Sequence, residues 1–400
     1  MTSKTFDDGA NRLRLAWLQD SGVEVWGPDR VYIGDEVPLD AIEPGATIYH
    51  ATLSGKNLRI GKGSSIGRSG HALVEDCRIG RDVELGAGSY SRATILDGSK
   101  VRGFAELRPG TLLEEDCEAA HSVAFKNTIL TATCVTGSLI NYCDVFMTGG
   151  TSRSDHSEVG SGVVHFNFDP RGDKWGSLLG DARGLLLRSA PIFIGGQAGL
   201  VGPLHVDFGA VLAAGSIARR DIGPDRVRFE GAEAREVEGF DRNRYGSLAP
   251  KLRTTARLIG NLWAFWAWYQ AVRLPFADDR EKPLYESAQN QARVHIEERV
   301  KRLRKIVEKL AAGAARSPEH EALIASGEDL AAAWLAPPDE APPPSEFLQE
   351  YEAKRGAAAH IDAVRGISPE AAEAAAGWLR KIAERATPPL DRALTRPGRS

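Results

Sequence analysis

The amino-acid sequence predicts a left-handed parallel β-helix followed by an α-helical C-terminal region. Two observations predict it: a six-residue hydrophobic period within residues 31–222 and a change of composition near residue 240. Of the 42 glycines, 34 lie in residues 1–240, whereas residues 247–400 are rich in Ala, Glu, Lys and Arg. Hydrophobic residues make up 42% of the 400 residues, which is enough to form a large core.

The six-residue period is the feature that identifies the first half. Its clearest run consists of Val101, Leu107, Leu113, Ala119 and Phe125. An α-helix turns every 3.6 residues, so a six-residue step does not return to one helical face, and the frequent glycines would destabilise a helix. Short parallel strands joined by tight turns explain the period, because three hexapeptides form one triangular coil and coils stack about 4.8 Å apart. A β-sandwich would instead show apolar and polar residues in alternation, which is a period of two residues.

The period is interrupted at about residues 144–158 and 170–191. Insertions in a solenoid leave it as loops, and such loops commonly build a binding site. We therefore expect functional residues near these two segments.

The second half shows the spacing of helices. Apolar residues follow one another at alternating steps of four and three, as in an amphipathic helix or short coiled coil: Ile296, Val300, Leu303, Val307 and Leu310. Residues 336–345 form a proline-rich linker, because prolines stiffen the chain and prevent a helix. Ser368 and Pro369 predict the start of a helix, and Pro388 and Pro389 predict its end.

These boundaries predict five segments. They are an N-terminal lead-in with a helix (1–24), the β-helix domain (25–236), a helical domain (247–335), the linker (336–345) and a helical tail (346–400). The aromatic segment 261–276 contains Trp263, Trp266 and Trp268. Such aromatics serve as a membrane-surface anchor or a binding platform in some proteins, but on a helix they more often pack against a neighbouring domain, and we expect packing here.

Charge and composition exclude several classes of function. The net charge of −4 gives no general electrostatic reason to bind nucleic acid, and no apolar run approaches the ~18 residues of a membrane span. The N-terminal residues lack the pattern of a secretory signal. The four cysteines include no Cys-x-x-Cys pair, so we expect reduced thiols and a cytoplasmic location.

Three blocks of the repeat carry a resemblance to a known family: residues 106–130, 159–174 and 193–222. They resemble the hexapeptide-repeat acyltransferases, and in particular the acetyltransferase domain of the bacterial bifunctional UDP-N-acetylglucosamine pyrophosphorylase/glucosamine-1-phosphate N-acetyltransferase. Residues 21–37 resemble that family's entry into the β-helix, and the resemblance extends over residues 20–236.

The resemblance implies an acyltransferase that moves an acetyl or related group from coenzyme A to an amino sugar phosphate or a nucleotide-linked amino sugar. It also implies acetyl-CoA as the acyl donor and a homotrimer with sites between subunits. Fewer than 40 residues precede the repeat, so we expect no uridyl transfer from this chain alone.

Arg108 and Lys126 match the family's sugar-phosphate and nucleotide-binding arginine and lysine. The spacing agrees with that role, because eighteen residues make one coil and would stack the two cations within reach of one phosphate. The alternative is a pair of solvated surface cations.

Further matches concern the donor and the acceptor. Asn167 and Phe168 resemble the family's Asn-Tyr pair, which contacts acetyl-CoA and orients the accepting amine. Lys174 aligns with a second substrate lysine after one extra residue. Gly196 stands where the family has a serine near the thioester carbonyl, and Ala214 lies in the step that lines the cofactor channel.

The sequence departs from the family at the catalytic base. Ser138 stands where the family has its histidine, and Asn141 stands where it has a substrate tyrosine, although Tyr142 is adjacent. Acyl transfer needs a neutral amine, so a base near pH 7 contributes about a hundredfold in rate, which a serine cannot supply.

Other histidines are therefore candidates for the base. His156 lies in the first interruption beside Asp155, and His165 precedes Asn167 by two residues. His121 lies on the same coil as Arg108 and Lys126, where it could contact the ligand. A zinc site is not expected, because the histidines lack the spacing of β-helix zinc enzymes.

Two other functions compete with acyl transfer. The first is a non-catalytic sugar-nucleotide-binding or scaffold protein, which the loss of the base at Ser138 and of the serine at Gly196 favours. The second is a β-helix subunit of a sugar nucleotidyltransferase that resembles UDP-N-acetylglucosamine pyrophosphorylase.

Overall fold

The structure is a computed structural model that describes residues 8–167, 172–231, 245–313, 317–339, 342–356 and 358–395. Residues 24–228 form a parallel β-solenoid, and the described residues from 249 onward are helical. The predicted order of a parallel β-helix followed by helices is confirmed.

The short strands of the solenoid lie on three faces, which we name faces 1, 2 and 3 in the order the chain visits them. Face 1 is one sheet, whereas Ala124–Leu130 and Asn141–Met147 continue from face 2 to face 3 and join these two faces into a second sheet. Face 1 consists of Glu24–Val25, Thr47–Ile48, Ser65–Ile66, Glu84–Leu85, Lys100–Val101, Glu118–Ala119, Val135–Thr136, Glu158–Val159, Phe193–Ile194, Val211–Leu212 and Val227–Arg228. Face 2 consists of Val31–Ile33, Ala51–Ser54, Ala72–Glu75, Gly88–Ser91, Ala105–Leu107, the first parts of Ala124–Leu130 and Asn141–Met147, Val164–Phe166, Gly199–Val201 and Ile217–Ala218. Face 3 consists of Arg59–Ile60, Arg78–Ile79, Thr94–Ile95, Thr111–Leu113, the second parts of Ala124–Leu130 and Asn141–Met147, Ser177–Leu179 and His205–Val206.

The register between coils explains the sequence period. Glu106 pairs with Ala124 and Leu107 pairs with Phe125, so these neighbours are 18 residues apart. One coil therefore holds three hexapeptides. The residues at the first position of each hexapeptide in the run from Val101 to Phe125 are buried in the interior of the solenoid.

Tight turns at the three corners let the coils stack. We call the corner between faces 1 and 2 corner A, that between faces 2 and 3 corner B, and that between faces 3 and 1 corner C. At corner B, Gly110 has φ 84°, and an added Cβ would lie 2.3 Å from Oδ1 of Asn127 on the next coil. Only glycine fits this position, because an L side chain would be strained by both the backbone angle and the close contact.

Eight α-helices are found among the described residues: α1 (Asp8–Asp20), α2 (Ala249–Trp268), α3 (Glu281–Ala312), α4 (Pro318–Leu335), α5 (Ser345–Arg355), α6 (His360–Arg365), α7 (Pro369–Glu384) and α8 (Thr387–Thr395). Helix α1 closes the N-terminal end of the solenoid with Leu15 and Leu18. A π-helical turn, Tyr269–Arg273, follows α2. None of the described helices has the length and apolar character needed to cross a membrane.

The helical region covers face 3. Strands of this face carry two apolar residues in succession, such as Leu112 and Leu113 or Phe146 and Met147. Leu113 and Met147 point into the solenoid, whereas Leu112 and Phe146 pack against the helices. Because both surfaces of the sheet are buried, its strands lose the alternation of polar and apolar residues.

The aromatic segment lies within this second core. Trp263, Phe265 and Trp268 are buried, and the ring of Phe265 meets that of Phe146 edge to face at 5.8 Å. The expectation that these aromatics pack against a neighbouring domain is confirmed. Helices on both sides of residues 336–345 share this core, and the division of the chain into five segments stays a prediction.

The structure corrects one helix boundary. Ser368 caps α7 by accepting a hydrogen bond from the amide of Ala371, as the sequence predicts. Pro388 and Pro389 do not end that helix, because α7 ends at Glu384 and the two prolines lie in the first turn of α8. Prolines are tolerated there because the first amides of a helix have no intrahelical partner.

The first sequence interruption also has a different role from the one expected. Residues 150–156 form a small antiparallel hairpin at corner C, where Nε of Arg365 donates a hydrogen bond to the carbonyl of Thr151. Farther along corner C, the short helix Ala182–Leu186 packs against α7. These segments hold the helical region and do not reach face 2.

A buried ionic cluster joins the π-helical turn to the solenoid. The guanidinium of Arg273 is 3.1 Å from Oε1 of Glu114 and also pairs with Glu115, and the hydroxyl of Tyr269 donates to Glu114. Burial raises the pKa of Glu114, although Arg273 opposes the shift.

We expect Arg273→Ala to lower the free energy of unfolding by about 3–5 kcal/mol, because the variant leaves the buried Glu114 carboxylate without its cation. Urea denaturation followed by tryptophan fluorescence measures the loss. The control is Arg304→Ala, whose partner Glu328 has a side chain 73% exposed, and which should cost less than about 1 kcal/mol. Equal losses for both variants would show that the cluster does not anchor the helices.

Candidate functional site

Three cations converge at corner B around one thiol. Lys126 is in register with Cys143 of the next coil, and Nη2 of Arg108, one coil before Lys126, is 3.7 Å from Sγ of Cys143. The charges of Arg108, Lys174 and Lys126 all act on this thiol. The structure therefore brings together the three residues that the sequence predicts to bind an anionic substrate.

Arg108 retains unused hydrogen-bonding capacity. Its Nε is buried and makes no hydrogen bond to any described residue, and the closest carboxylate oxygen, of Glu106, is 3.8 Å away. A buried donor without a partner costs free energy. A phosphate oxygen at this corner would supply the missing acceptor.

Cys143 itself is not a nucleophile in this setting. Burial raises the pKa of its thiol, and Asp144 raises it further, against the opposing effect of the three cations. The thiol stays protonated at neutral pH, and the thiolate is the reactive form of cysteine.

Helix α3 holds corner B from the side of face 3. Nε2 of His295 is 2.7 Å from the carbonyl oxygen of Gly110, two residues after Arg108. Arg299 pairs with the buried carboxylate of Asp144 and donates from Nη1 to the carbonyl of Lys174 at 3.2 Å. Each contact lies within two residues of a cation or of Cys143. Helix α3 therefore fixes the positions of the backbone segments that carry these residues.

Electrostatics agree with this supporting role. Burial alone would raise the pKa of Asp144, but Arg299 and a hydrogen bond from Asn127 hold it below its ordinary value. Burial lowers the pKa of His295 to about 4. At neutral pH Asp144 is therefore ionised and His295 neutral.

The outer surface of face 2 links corner B to corner A. Asn141 is exposed on this surface, whereas Tyr142 is fully buried in the solenoid. Asn141, and not its neighbour, thus presents its side chain where the family tyrosine is expected. Ser138 lies half-buried at corner A, and His121 lies exposed at the same corner one coil earlier.

The residues predicted to contact the acyl donor lie on both corners. The side-chain oxygen of Asn167 accepts a hydrogen bond from the amide of Trp175 at 2.8 Å and so closes the loop that carries Lys174. Phe168 lies outside the described residues. Gly196 and Ala214 lie on successive coils of corner A, with Ala214 exposed. Corners A and B are the two edges of face 2.

His165 points into the protein and not onto face 2. It is 3% exposed, and its Nε2 lies 2.7 Å from the hydroxyl of Ser177. Burial lowers the pKa of His165 to about 4, although Asp144 acts in the opposite direction. A buried imidazole with this pKa is poorly suited to accept a proton from an amine, so the prediction that His165 is the base gains no geometric support.

His156 lies far from the cations. It belongs to the hairpin at corner C, where its Nδ1 is 2.8 Å from the carbonyl of Arg153 and its Nε2 is 3.9 Å from Glu158. Since Arg108 and Lys126 lie at corner B, His156 does not share a site with them within one chain.

Sequence reasoning missed Glu106 and Arg299. Glu106 is exposed on face 2 in the same column as Ala124 and Asn141. The alternation along Ala105, Glu106 and Leu107 could have revealed its outward position. Arg299 lies 155 residues from Asp144, and no local pattern signals that pair. Within the described ranges, no group of three or more His, Cys, Asp or Glu side chains could hold a metal ion.

Comparisons with known proteins agree with the fold. The chain is 27% identical over 237 residues to the Bifunctional protein GlmU of Acidithiobacillus ferrooxidans, which covers 58% of this chain and 47% of that protein. It is 29% identical over 214 residues to Bifunctional protein GlmU of Trichlorobacter lovleyi, covering 52% of this chain and 41% of that one. The chain spans about half the length of the curated relatives it matches. No protein-family model matches it.

We expect His165 to make stability depend on acidity. Between its ordinary pKa near 6.5 and the folded value of about 4, the unfolded chain binds a proton that folded His165 does not. Its contribution is present above pH 6.5 and is lost as the pH falls toward 4. The difference in unfolding free energy between pH 7 and pH 4 should be smaller by up to about 3 kcal/mol in His165→Gln than in the wild type.

Urea titrations of both proteins at pH 7, 5.5 and 4 measure this difference. His295 is also buried with a lowered pKa, but it is present in both proteins and its effect cancels. Parallel pH profiles for the two proteins would contradict the buried, neutral state of His165.

Proposed function

We propose that this protein is an acyltransferase that moves an acetyl or similar group from coenzyme A to an amino sugar phosphate or a nucleotide-linked amino sugar. The observation that carries the proposal is the convergence of Arg108, Lys126 and Lys174 at corner B. The similarity to proteins named Bifunctional protein GlmU, over 58% of the chain, supports it.

In the proposed complex the sugar lies on the outer surface of face 2. Arg108, Lys126 and Lys174 bind its phosphate, since charge-assisted hydrogen bonds to phosphate are the strong ones. The exposed amide of Asn141 contacts the sugar, and the acyl donor lies along corner A past Gly196 and Ala214.

The reaction requires one proton transfer. The neutral amine attacks the thioester carbonyl, a C–N bond forms, the C–S bond breaks, and coenzyme A leaves as the thiol after it receives a proton. A backbone amide near Gly196 would donate to the developing oxyanion. A base must take the proton that the amine loses.

His121 is the base that the geometry favours. It is exposed at corner A and five residues before Lys126 on the same coil, so the two lie at opposite edges of face 2. Five extended residues span about 16 Å, a gap that two side chains and a sugar phosphate fill. His156 and His165, the bases proposed from sequence, do not face this surface.

A non-catalytic sugar-nucleotide-binding protein is the second candidate. Ser138 in place of the family histidine favours it, because binding needs the cations but no base. In this second function corner B still binds the anionic ligand, and only the proton transfer is absent.

The first test is release of free thiol from acetyl-CoA in the presence of amino sugars, their phosphates and their UDP-linked forms. We expect one acceptor to support release, and we expect Arg108→Ala to raise the KM for it about 10–100-fold with a smaller effect on kcat. The control is Arg226→Ala, an exposed arginine near corner C that should leave KM unchanged. Binding of a UDP-sugar without thiol release by any acceptor would favour the second candidate.

The base assignment has its own test. We expect His121→Asn to lower kcat about a hundredfold and to leave the KM for the acceptor unchanged. His156→Asn should keep kcat within about twofold, because that residue lies at corner C. A large loss in His156→Asn or His165→Gln with normal activity in His121→Asn would return the role to the residues proposed from sequence.

We further propose that the active assembly is a homotrimer. Corners A and B lie at opposite edges of face 2, so a second copy placed against this face would close the site. Light scattering of the purified chain, whose mass is 43.2 kDa, should give about three times that mass. A monomer mass with full acyl transfer would show that one chain suffices.

A further inference from the structure

A second cavity lies where the last coils of the solenoid meet the helical region. It has a volume of about 760 Å³ and is bounded by corner B after Gly202 and by the first two turns of α2. Five of its twelve lining residues lie within residues 250–257, beyond the region that carries the family resemblance. Pockets of this size hold small molecules of the size of a nucleotide.

The rim of the cavity has a large excess of positive charge. Its charged lining residues are Arg219, Arg220, Lys251, Arg253, Arg257 and Asp221. The single carboxylate, Asp221, is already engaged, because Oδ2 lies 3.2 Å from Nη1 of Arg257 and Oδ1 accepts from the amide of His205.

The other arginines of the rim are weakly compensated. Arg219 is 3.9 Å from Glu230 and Arg253 is 3.9 Å from Asp391, and all four side chains are at least a quarter exposed. Among the described residues, no hydrogen bond or ion pair involves the side chain of Arg220. Exposed pairs of this kind contribute little, so an anion can replace them at low cost.

One wall of the cavity is apolar and includes a planar ring. Phe166 lies on the outer surface of face 2 over Gly199, where an added Cβ would be 2.8 Å from the ring. Val201, Pro203 and Pro250 continue this wall. A flat apolar group therefore has a surface on which to stack, next to the cations.

The N-terminus of α2 does not supply the attraction. The amides of Leu248 and Ala249 both donate to Oε1 of Glu319. The guanidinium groups of Arg219, Arg220 and Arg253 are the rim donors that we consider for a ligand, and arginine forks match phosphate oxygens in geometry.

We propose that this cavity binds the nucleoside 5′-diphosphate part of a ligand, with the base against Phe166 and the two phosphates on the arginines of the rim. Phe166 directly precedes Asn167, and Arg219 lies four coils after Lys126 along corner B, a distance of about 19 Å. A ligand with its reacting end near Asn167 can thus place its nucleotide in the cavity. The identification of that ligand as acceptor or donor rests on the proposed acyl transfer. The binding of a nucleotide in the cavity does not depend on that reaction.

Isothermal titration calorimetry with UDP, ADP and inorganic pyrophosphate tests the proposal directly on the full chain. We expect at least one nucleotide to bind more tightly than pyrophosphate, and we expect Arg220→Ala to weaken it at least about tenfold. Phe166→Ala should weaken the nucleotide but not pyrophosphate. A preference for UDP assigns the cavity to a nucleotide-linked acceptor whose diphosphate lies on the rim and not on Arg108, Lys126 and Lys174. A preference for ADP assigns the cavity to the nucleotide end of coenzyme A.

Two control variants distinguish this cavity from the site at corner B. Arg226→Ala removes an exposed arginine near corner C that does not line the cavity, and it should bind as the wild type does. Arg108→Ala should also retain nucleotide binding, even if it loses acyl transfer. No nucleotide binding by the wild type, equal binding of pyrophosphate, or loss of binding in Arg108→Ala but not in Arg220→Ala would each overturn the proposal.

Discussion

Parallel stacking of coils, at a register of 18 and then 17 residues between Glu106 and Cys143, is the constraint on which the rest of the structure depends. It places residues from successive coils in straight columns at each corner, so that Arg108, Lys126 and Cys143 become neighbours although 35 residues separate the first from the last. The spacing of strands, about 4.8 Å, then sets the distance between the cations. Repetition of the coil thus brings Arg108 and Lys126 together at corner B, and the segment that ends at Trp175 adds Lys174.

The helical region adds a second constraint from the opposite side of the sheet. By covering face 3 it buries the outer apolar residues, and it brings polar groups of α3 to the back of corner B. Arg299 and Asp144 are both buried, and burying two charges is favourable only where each finds a partner of good geometry. The same contacts that attach the helices therefore also position the cations.

The candidate site separates binding from proton transfer. The groups for binding an anion are present and supported, whereas Ser138 replaces the family histidine and His165 is buried in its neutral form. His121 is exposed on the same edge of face 2, one coil before Ser138. An enzyme with this arrangement would keep the acceptor geometry of its relatives. The base that accepts the proton of the amine would lie on a different coil.

The sequence by itself determined the β-helix, the stacking of Arg108 on Lys126 and the start of α7 at Ser368, because each depends on spacing within one coil or one helical turn. The alternation along Val164, His165 and Phe166 also indicates that the side chain of His165 points inward. Sequence motifs alone do not reveal this direction. Only the tertiary structure decided which face the helices cover, that Arg299 supports Asp144, and that a cationic cavity forms between corner B and α2. These features join residues far apart in the chain, and a period of six residues carries no information about such contacts.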